Sequence, residues 1–141
     1  MTARQKTITF VHQANRNHLV FCHDKIEDIT FINIGKVLAE ALSKENLHLP
    51  SVAYIAEDLL VDILSTPRLD SQIGPYVALE NIGILFEPDL GLNLKSTLDN
   101  ASTNKTIIIR SDGVIVSNRF YFLQDGDGVF IDLTGLSYIE I

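Results

Sequence analysis

The chain has one cysteine and no tryptophan among its 141 residues. A single cysteine, Cys22, excludes an internal disulfide and a zinc site built from several thiolates. Its preceding residues, 19–21, are apolar, so we expect Cys22 to be a packed and unreactive thiol. The four histidines show no metal-ligand spacing and no serine stands in a G-x-S-x-G motif. The sequence therefore predicts no catalytic residue, no metal site and no cofactor.

Long apolar runs and positive charge are also scarce. No stretch approaches the roughly 20 apolar residues of a membrane helix, and residues 1–6 do not begin a signal peptide, so we expect a cytoplasmic protein without a membrane partner. Lys and Arg number 11 against 18 Asp and Glu, which gives a net charge of −7. Because nonspecific affinity for nucleic acid comes mostly from neutralised phosphates, we expect no direct binding to nucleic acid.

Apolar residues make up 46% of the chain, which is enough to build a core in a single domain of this length. We divide the predicted domain, 1–141, into an N-terminal segment, 1–16, a βαβ core, 17–110, and a β-rich tail, 111–141. The division follows the change from alternating strand and helix patterns to short strand-like runs separated by turn residues.

The core shows an alternation of strand and helix patterns. Strands are predicted at 18–22, 52–56, 76–79 and 105–110. Helices are predicted at 29–44, 57–64 and 90–101. Asp28 is expected to cap the first helix, because a carboxylate there can accept from free backbone N–H groups. Such alternation favours parallel strands joined by right-handed crossovers.

The tail contains four further strand-like runs. They lie at 114–116, 119–123, 129–133 and 138–141. The turn from Gln124 to Gly128 contains Asp-Gly, which supplies the positive φ that a hairpin needs. The predicted fold class is α/β, with a mostly parallel sheet, flanking helices, a P-loop NTPase-like arrangement and a β-rich C-terminal hairpin.

The turn after the first strand is where a P-loop protein carries G-x-x-x-x-G-K-[ST], whose backbone N–H groups bind phosphate. Here the turn runs from His23 to Thr30, and only Thr30 fits the motif. Glu27 and Asp28 would repel a phosphate. Gly35-Lys36 lies within the helical pattern, and we interpret it as a packing glycine with an exposed lysine. A displaced phosphate grip is the alternative.

Two strand ends invite a chemical interpretation. Glu80 follows four apolar residues, as the Mg²⁺-binding acid of a Walker B strand does, although a strand-end acid also serves in local hydrogen bonds. Arg110 ends the fourth predicted strand, at the edge where open α/β sheets bind ligands. It could face a ligand, but we expect it to pair with Glu80. Thr30, Glu80 and Arg110 are thus the candidate residues of a vestigial nucleotide site.

The run Leu79 to Leu90, LENIGILFEPDL, resembles the second half of the small P-loop proteins of BREX phage-defence systems, the BrxF type. In that family an Asp-Asn-Ile-Glu-Ile-Leu-Phe-like segment precedes Asp-Pro and Leu. A helix then leads to an Asn-x-Thr-hydrophobic strand, whose entry here is Asn104. The resemblance implies an ASCE-type P-loop fold, with strand one between strands four and five, beside larger subunits of an antiviral system. The chain departs from the family at 23–30 and at Gly83, where the family has an acid, so ATPase activity is not implied.

These features predict a non-catalytic scaffold or regulatory subunit of a bacterial phage-defence or DNA-transaction complex, with a larger protein partner and possible self-association. The expected contact surface is a strand edge of the tail, with Phe120, Tyr121 and Phe122 as candidate residues. Two alternatives stay open. One is a nucleotide-binding, ATPase-like protein with an altered phosphate loop. The other is a small-ligand or peptide-binding module unrelated to P-loops, which a different strand order would favour.

Overall fold

A computed structural model describes residues 1–43, 49–123 and 128–141. Its strands form a six-stranded sheet and a separate three-stranded sheet. The strands are β1 (His18–Cys22), β2 (Phe31–Asn33), β3 (Arg68–Asp70), β4 (Gly74–Glu80), β5 (Thr106–Arg110), β6 (Val114–Val116), β7 (Arg119–Tyr121), β8 (Phe130–Asp132) and β9 (Tyr138–Glu140). The α-helices are α1 (Ala3–Val11), α2 (Ile34–Ser43), α3 (Leu49–Leu64) and α4 (Leu94–Ala101).

The large sheet has the order β2-β4-β5-β1-β9, and β3 also pairs with β4. The neighbours along this order are parallel, whereas β3 is antiparallel to β4. Among the parallel strands, counted along the chain, the first therefore lies between the fourth and the fifth. The fold is α/β with a mostly parallel central sheet, as the sequence predicts.

The predicted strands at 18–22, 76–79 and 105–110 are confirmed as β1, β4 and β5. These strands occupy the middle of the sheet and are covered on both faces. Leu19 and Val20 in β1, like Ile107 and Ile108 in β5, are fully buried. A continuous apolar run is typical of a strand in this position, because both of its faces need apolar side chains.

The predicted strand at 52–56 is wrong, because these residues belong to α3. Ala56, Leu60 and Leu64 recur every four residues and are all buried, which is the spacing of one helix face. The helix predicted at 57–64 is therefore the second half of a longer one. A short apolar run fits a strand and a buried helix equally well, and here the longer helical repeat decides.

The helix predicted at 29–44 begins later than expected, because Phe31–Asn33 forms the edge strand β2. Asp28 does not cap it, since Asp28 has a left-handed backbone with φ of 65° and lies before that strand. Asn33 takes the capping role, and its Oδ1 accepts from the Lys36 backbone N–H at 2.9 Å. The predicted helix end at Lys44 falls outside the described residues.

The two faces of the large sheet are covered differently. The helices α2, α3 and α4, with two 3₁₀ helices at Ile82–Phe86 and Pro88–Leu90, contribute to the larger core. On the opposite face, α1 and residues 23–30 cover a smaller core. The helix predicted at 90–101 is confirmed only from residue 94 onward, as α4.

The N-terminal segment carries a helix that the sequence did not predict. A capping box begins α1: the Thr2 hydroxyl accepts from the Gln5 N–H at 3.1 Å, and the Gln5 side chain accepts from the Thr2 N–H at 2.8 Å. Arg4 then donates to the Asp70 carboxylate at 2.9 Å and to the Glu27 carbonyl at 3.2 Å. The Arg4 guanidinium lowers the pKa of Asp70 to about 2. These contacts fasten α1 to β3 and to residues 23–30.

The tail divides between the two sheets. Strands β6, β7 and β8 form the antiparallel three-stranded sheet, in which Ser117 and Asn118 have positive φ and make a two-residue turn. Strand β9 instead returns to the large sheet and pairs in parallel with β1. Most of the turn predicted at 124–128 falls outside the described residues. Within the described part of the chain, no helix has the length and apolar character needed to cross a membrane.

Candidate functional site

The carboxyl ends of the parallel strands place several polar side chains along one edge of the sheet. Asn33 ends β2 and lies opposite Glu80, which ends β4. Arg110 ends β5 and lies opposite Cys22, the last residue of β1. Because open α/β sheets bind ligands at this edge, it is the place to look for a site.

Glu80 is the centre of a charged cluster at this edge. Its Oε2 lies 3.7 Å from Arg110 Nη1, so the expected pair is present, and 3.6 Å from Lys25 Nζ. The Glu80 side chain is 17% exposed. Two protein cations therefore already balance the single carboxylate, which leaves little excess negative charge for a metal ion.

Thr30 lies apart from this cluster. Its backbone N–H donates to the Tyr76 hydroxyl at 3.1 Å, and it comes just before β2, whose last residue pairs with Glu80. Thr30 precedes Asn33, the residue that pairs with Glu80, by three positions, which is roughly 10 Å along the strand. The structure thus brings together Glu80 and Arg110 and leaves Thr30 elsewhere.

Residues 23–30 connect β1 directly to β2 without a helix between them. Ile26 and Ile29 from this segment are only 3% and 9% exposed, and they belong to the core that includes Val20 and Ile108. The Ile29 N–H donates to the Ile26 carbonyl at 3.2 Å, closing a turn between the two anchors. A phosphate loop needs the N-terminus of a following helix, and this connection instead forms a packed cover on the sheet.

Beside the cluster lies an open crevice of about 610 Å³. Glu80, Asn81 and Gly83 line one side, and Arg110 and Phe122 contribute to the other. Arg110 Nε is buried and has no hydrogen-bond partner among the described residues. The crevice is lined by Glu80 and Arg110, and these two charged side chains already contact each other.

Gly35 is a packing glycine, as expected. A Cβ added there would lie 2.7 Å from the Asn81 carbonyl oxygen, so a side chain would displace the backbone after β4. The neighbouring Lys36 is exposed. Asn81 also donates to Asn33 Oδ1 at 2.8 Å, and these contacts hold the start of α2 against the carboxyl edge of the sheet.

The aromatic residues proposed as a contact surface do not share one face. Phe120 is 3% exposed and stacks on Phe21 with ring centroids 4.7 Å apart. Phe122 is half-buried against Phe86. Tyr121 points the other way, towards Phe130, at 5.3 Å. The alternation of side chains along a strand could have separated Tyr121 from its neighbours, because successive residues face opposite sides.

Cys22 behaves as the sequence predicts. It is 5% exposed, and burial raises the pKa of its thiol to about 11. A thiol is nucleophilic as the thiolate, so Cys22 is unsuited to covalent chemistry at neutral pH. No cluster of three or more metal-ligating side chains occurs among the described residues.

No protein family, curated protein or solved structure matches this chain.

Proposed function

We propose that the chain is a non-catalytic scaffold or regulatory subunit of a bacterial phage-defence or DNA-transaction complex, built on a degenerate P-loop-type fold. One observation carries the proposal: residues 23–30, which follow β1 as a phosphate loop would in a P-loop protein, pack against the sheet through Ile26 and Ile29. A segment that two buried side chains hold against the sheet serves the core and is not free to enclose an anion.

The topology supports a P-loop origin. The first parallel strand lies between the fourth and the fifth, which is the order that the BrxF-like resemblance implies. Glu80 ends the third parallel strand of the chain and Arg110 ends the fourth. In this interpretation Glu80 is the remnant of a Walker B acid. A small-ligand module with an unrelated strand order is correspondingly less favoured.

The chemistry at the same edge supports a loss of catalysis. No glycine or lysine stands where the phosphate motif requires one. The carboxylate that would hold Mg²⁺ instead contacts Lys25 and Arg110. Gly83 stands where the family that residues 79–90 resemble has a second acid, and a glycine cannot act as a general base. Among the described residues, this edge therefore carries no phosphate motif, and its Glu80 carboxylate is already paired with two cations.

The expected partner is a larger protein of the same complex. A net charge of −7 disfavours direct contact with DNA or RNA, and an acidic subunit can still serve in a DNA-transaction complex when another subunit holds the nucleic acid. We place this subunit in the cytoplasm, where such complexes act.

Affinity purification tests this function. The tagged full chain, expressed at its native level in its host, should retain a larger protein at a constant ratio, identified by mass spectrometry. A surface variant that keeps the fold but alters the contact should release that protein. Repeated recovery of the chain alone would contradict the proposal.

A further inference from the structure

A groove runs between the last strand of the small sheet and the segment that leads into α4. We call it the β8 groove. Its volume is about 520 Å³; β8 with Val129 forms one wall, and residues 85–88 and 91–95 form the other. Leu85, Leu92 and Val129 supply apolar surface in it. Val129 is 48% exposed, so the groove offers apolar contacts that nothing in the described residues fully covers.

The wall formed by β8 is the open edge of a sheet. Of the strands in the described residues, only β7 pairs with β8, and no residue of β7 lines the groove. The Leu133 N–H donates to the Asn118 carbonyl at 2.7 Å, next to the ladder that pairs Ile131 with Phe120. Because antiparallel pairs alternate, the backbone groups of Ile131 face β7, and those of Phe130 and Asp132 face away.

Within the described part of the chain, the outward backbone groups of β8 have no backbone partner. Neither Phe130 nor Asp132 makes a backbone hydrogen bond beyond the β7 ladder among the described residues. A row of unpaired N–H and C=O groups beside an apolar groove is the arrangement that accepts an added strand. The occupant that fits this wall is therefore an extended peptide segment.

Charge further defines the occupant. Glu87 lines the groove and is exposed, and it has no ion-pair partner among the described residues. The neighbouring Asp89 is also exposed and has no ion-pair partner among the described residues, but it does not line the groove. The one lysine in the groove, Lys95, contacts Asp132 at 3.3 Å. With Lys95 and Asp132 paired to each other, the groove has the unpaired negative charge of Glu87, which a basic side chain would complement.

We propose that the β8 groove binds an extended segment of the partner protein, which adds to the small sheet as a strand beside β8. Apolar side chains of that segment enter the groove, and a Lys or Arg contacts Glu87. The inference rests on the proposed function in one respect, that the bound segment belongs to a partner protein. A second copy of the chain fits less well, because two molecules that each carry −7 repel each other.

Selection from a displayed random-peptide library against the immobilised full chain tests the groove. Selected peptides, synthesised with a fluorophore and measured by anisotropy, should alternate apolar residues and carry Lys or Arg. Asp132→Pro removes an outward N–H and leaves the β7 ladder intact, so the Kd should rise about tenfold or more. Asp132→Ala loses the same side chain, and with it the contact to Lys95, but keeps the N–H, so it should bind more tightly than Asp132→Pro by about fivefold or more.

A charge reversal gives a second variant with less risk to folding. Glu87→Lys should weaken binding of the basic peptides by about fivefold or more, because an attraction becomes a repulsion. Glu57→Lys makes the same charge change at an exposed position on α3 and should leave the Kd nearly unchanged. Thermal unfolding of each variant verifies that it is folded. If Asp132→Pro does not fold, the comparison of Glu87→Lys with Glu57→Lys decides whether the peptides bind in the β8 groove.

Three outcomes would overturn the groove assignment. They are a library without enriched peptides, peptides whose Kd neither Asp132→Pro nor Glu87→Lys alters, and a dimer in sedimentation that Glu87→Lys or Asp132→Pro dissociates. The last would assign the groove to a second copy. Purification of the chain alone from its host would contradict the proposed function but would not affect a positive peptide result. The two proposals can therefore be tested independently.

Discussion

Replacing both Ile26 and Ile29 with alanine is expected to lower the free energy of unfolding by at least about 4 kcal/mol. The two side chains are 3% and 9% exposed and fill the smaller core against Val20 and Ile108. Each truncation removes buried apolar surface and leaves a cavity that the central strands cannot close by moving. Because domains are stable by only about 5–15 kcal/mol, the double variant should be close to unfolding. Urea denaturation followed by circular dichroism measures the loss.

Asp24→Ala is the matched control for the double variant. Asp24 lies in the same segment but is exposed, so its replacement should change the unfolding free energy by less than about 0.5 kcal/mol. A loss below about 1 kcal/mol in the double variant would mean that residues 23–30 form a loose loop. Such a loop could rearrange around an anion, and the packing of Ile26 and Ile29 would no longer explain the loss of a phosphate site.

Phe120→Ala is expected to destabilise the whole chain by about 3–5 kcal/mol. The Phe120 ring stacks on Phe21 of β1 at 4.7 Å and lies 6.3 Å from Phe86, so it joins the small sheet to the core of the large one. Its removal takes away aromatic contacts as well as buried area. Denaturation should show a single transition at lower denaturant concentration, since both sheets share this core.

Tyr121→Ala is the neighbouring control. Its side chain is half-buried on the opposite side of β7, and the change should cost less than the Phe120 change by about 2 kcal/mol or more. Equal losses for the two variants would contradict the inward placement of Phe120. A separate early transition in Phe120→Ala would show that the small sheet unfolds independently of the large one.

The sequence predicts the central strands well because their burial leaves a continuous apolar run. It misses β2, since three residues at the edge of a sheet are too few to distinguish from the start of a helix. The run from Val52 to Ala56 is predicted as a strand because it is too short to show the four-residue repeat that continues to Leu64. The sequence also misses α1, whose residues are only weakly amphipathic and are positioned by long-range contacts such as Arg4 with Asp70.

The sequence alone shows which motif the candidate site lacks, but it does not show every side-chain contact within the site. The missing phosphate motif is evident from residues 23–30, and the Glu80–Arg110 pair follows from strand ends that meet at one edge of the sheet. The contact of Lys25 with Glu80 depends on the path of residues 23–30 across the sheet, which no local pattern indicates. The β8 groove brings together segments about 40 residues apart. Only the folded chain places them side by side.

Isothermal titration calorimetry with ATP or GTP in the presence of Mg²⁺ tests the loss of the phosphate site most directly. The buried position of Ile26 and Ile29 and the two cations beside Glu80 predict no heat beyond dilution, even with nucleotide in the millimolar range. Saturable binding with micromolar affinity that disappears in Glu80→Ala would contradict this, and would show that the carboxyl edge still holds a metal-bound triphosphate.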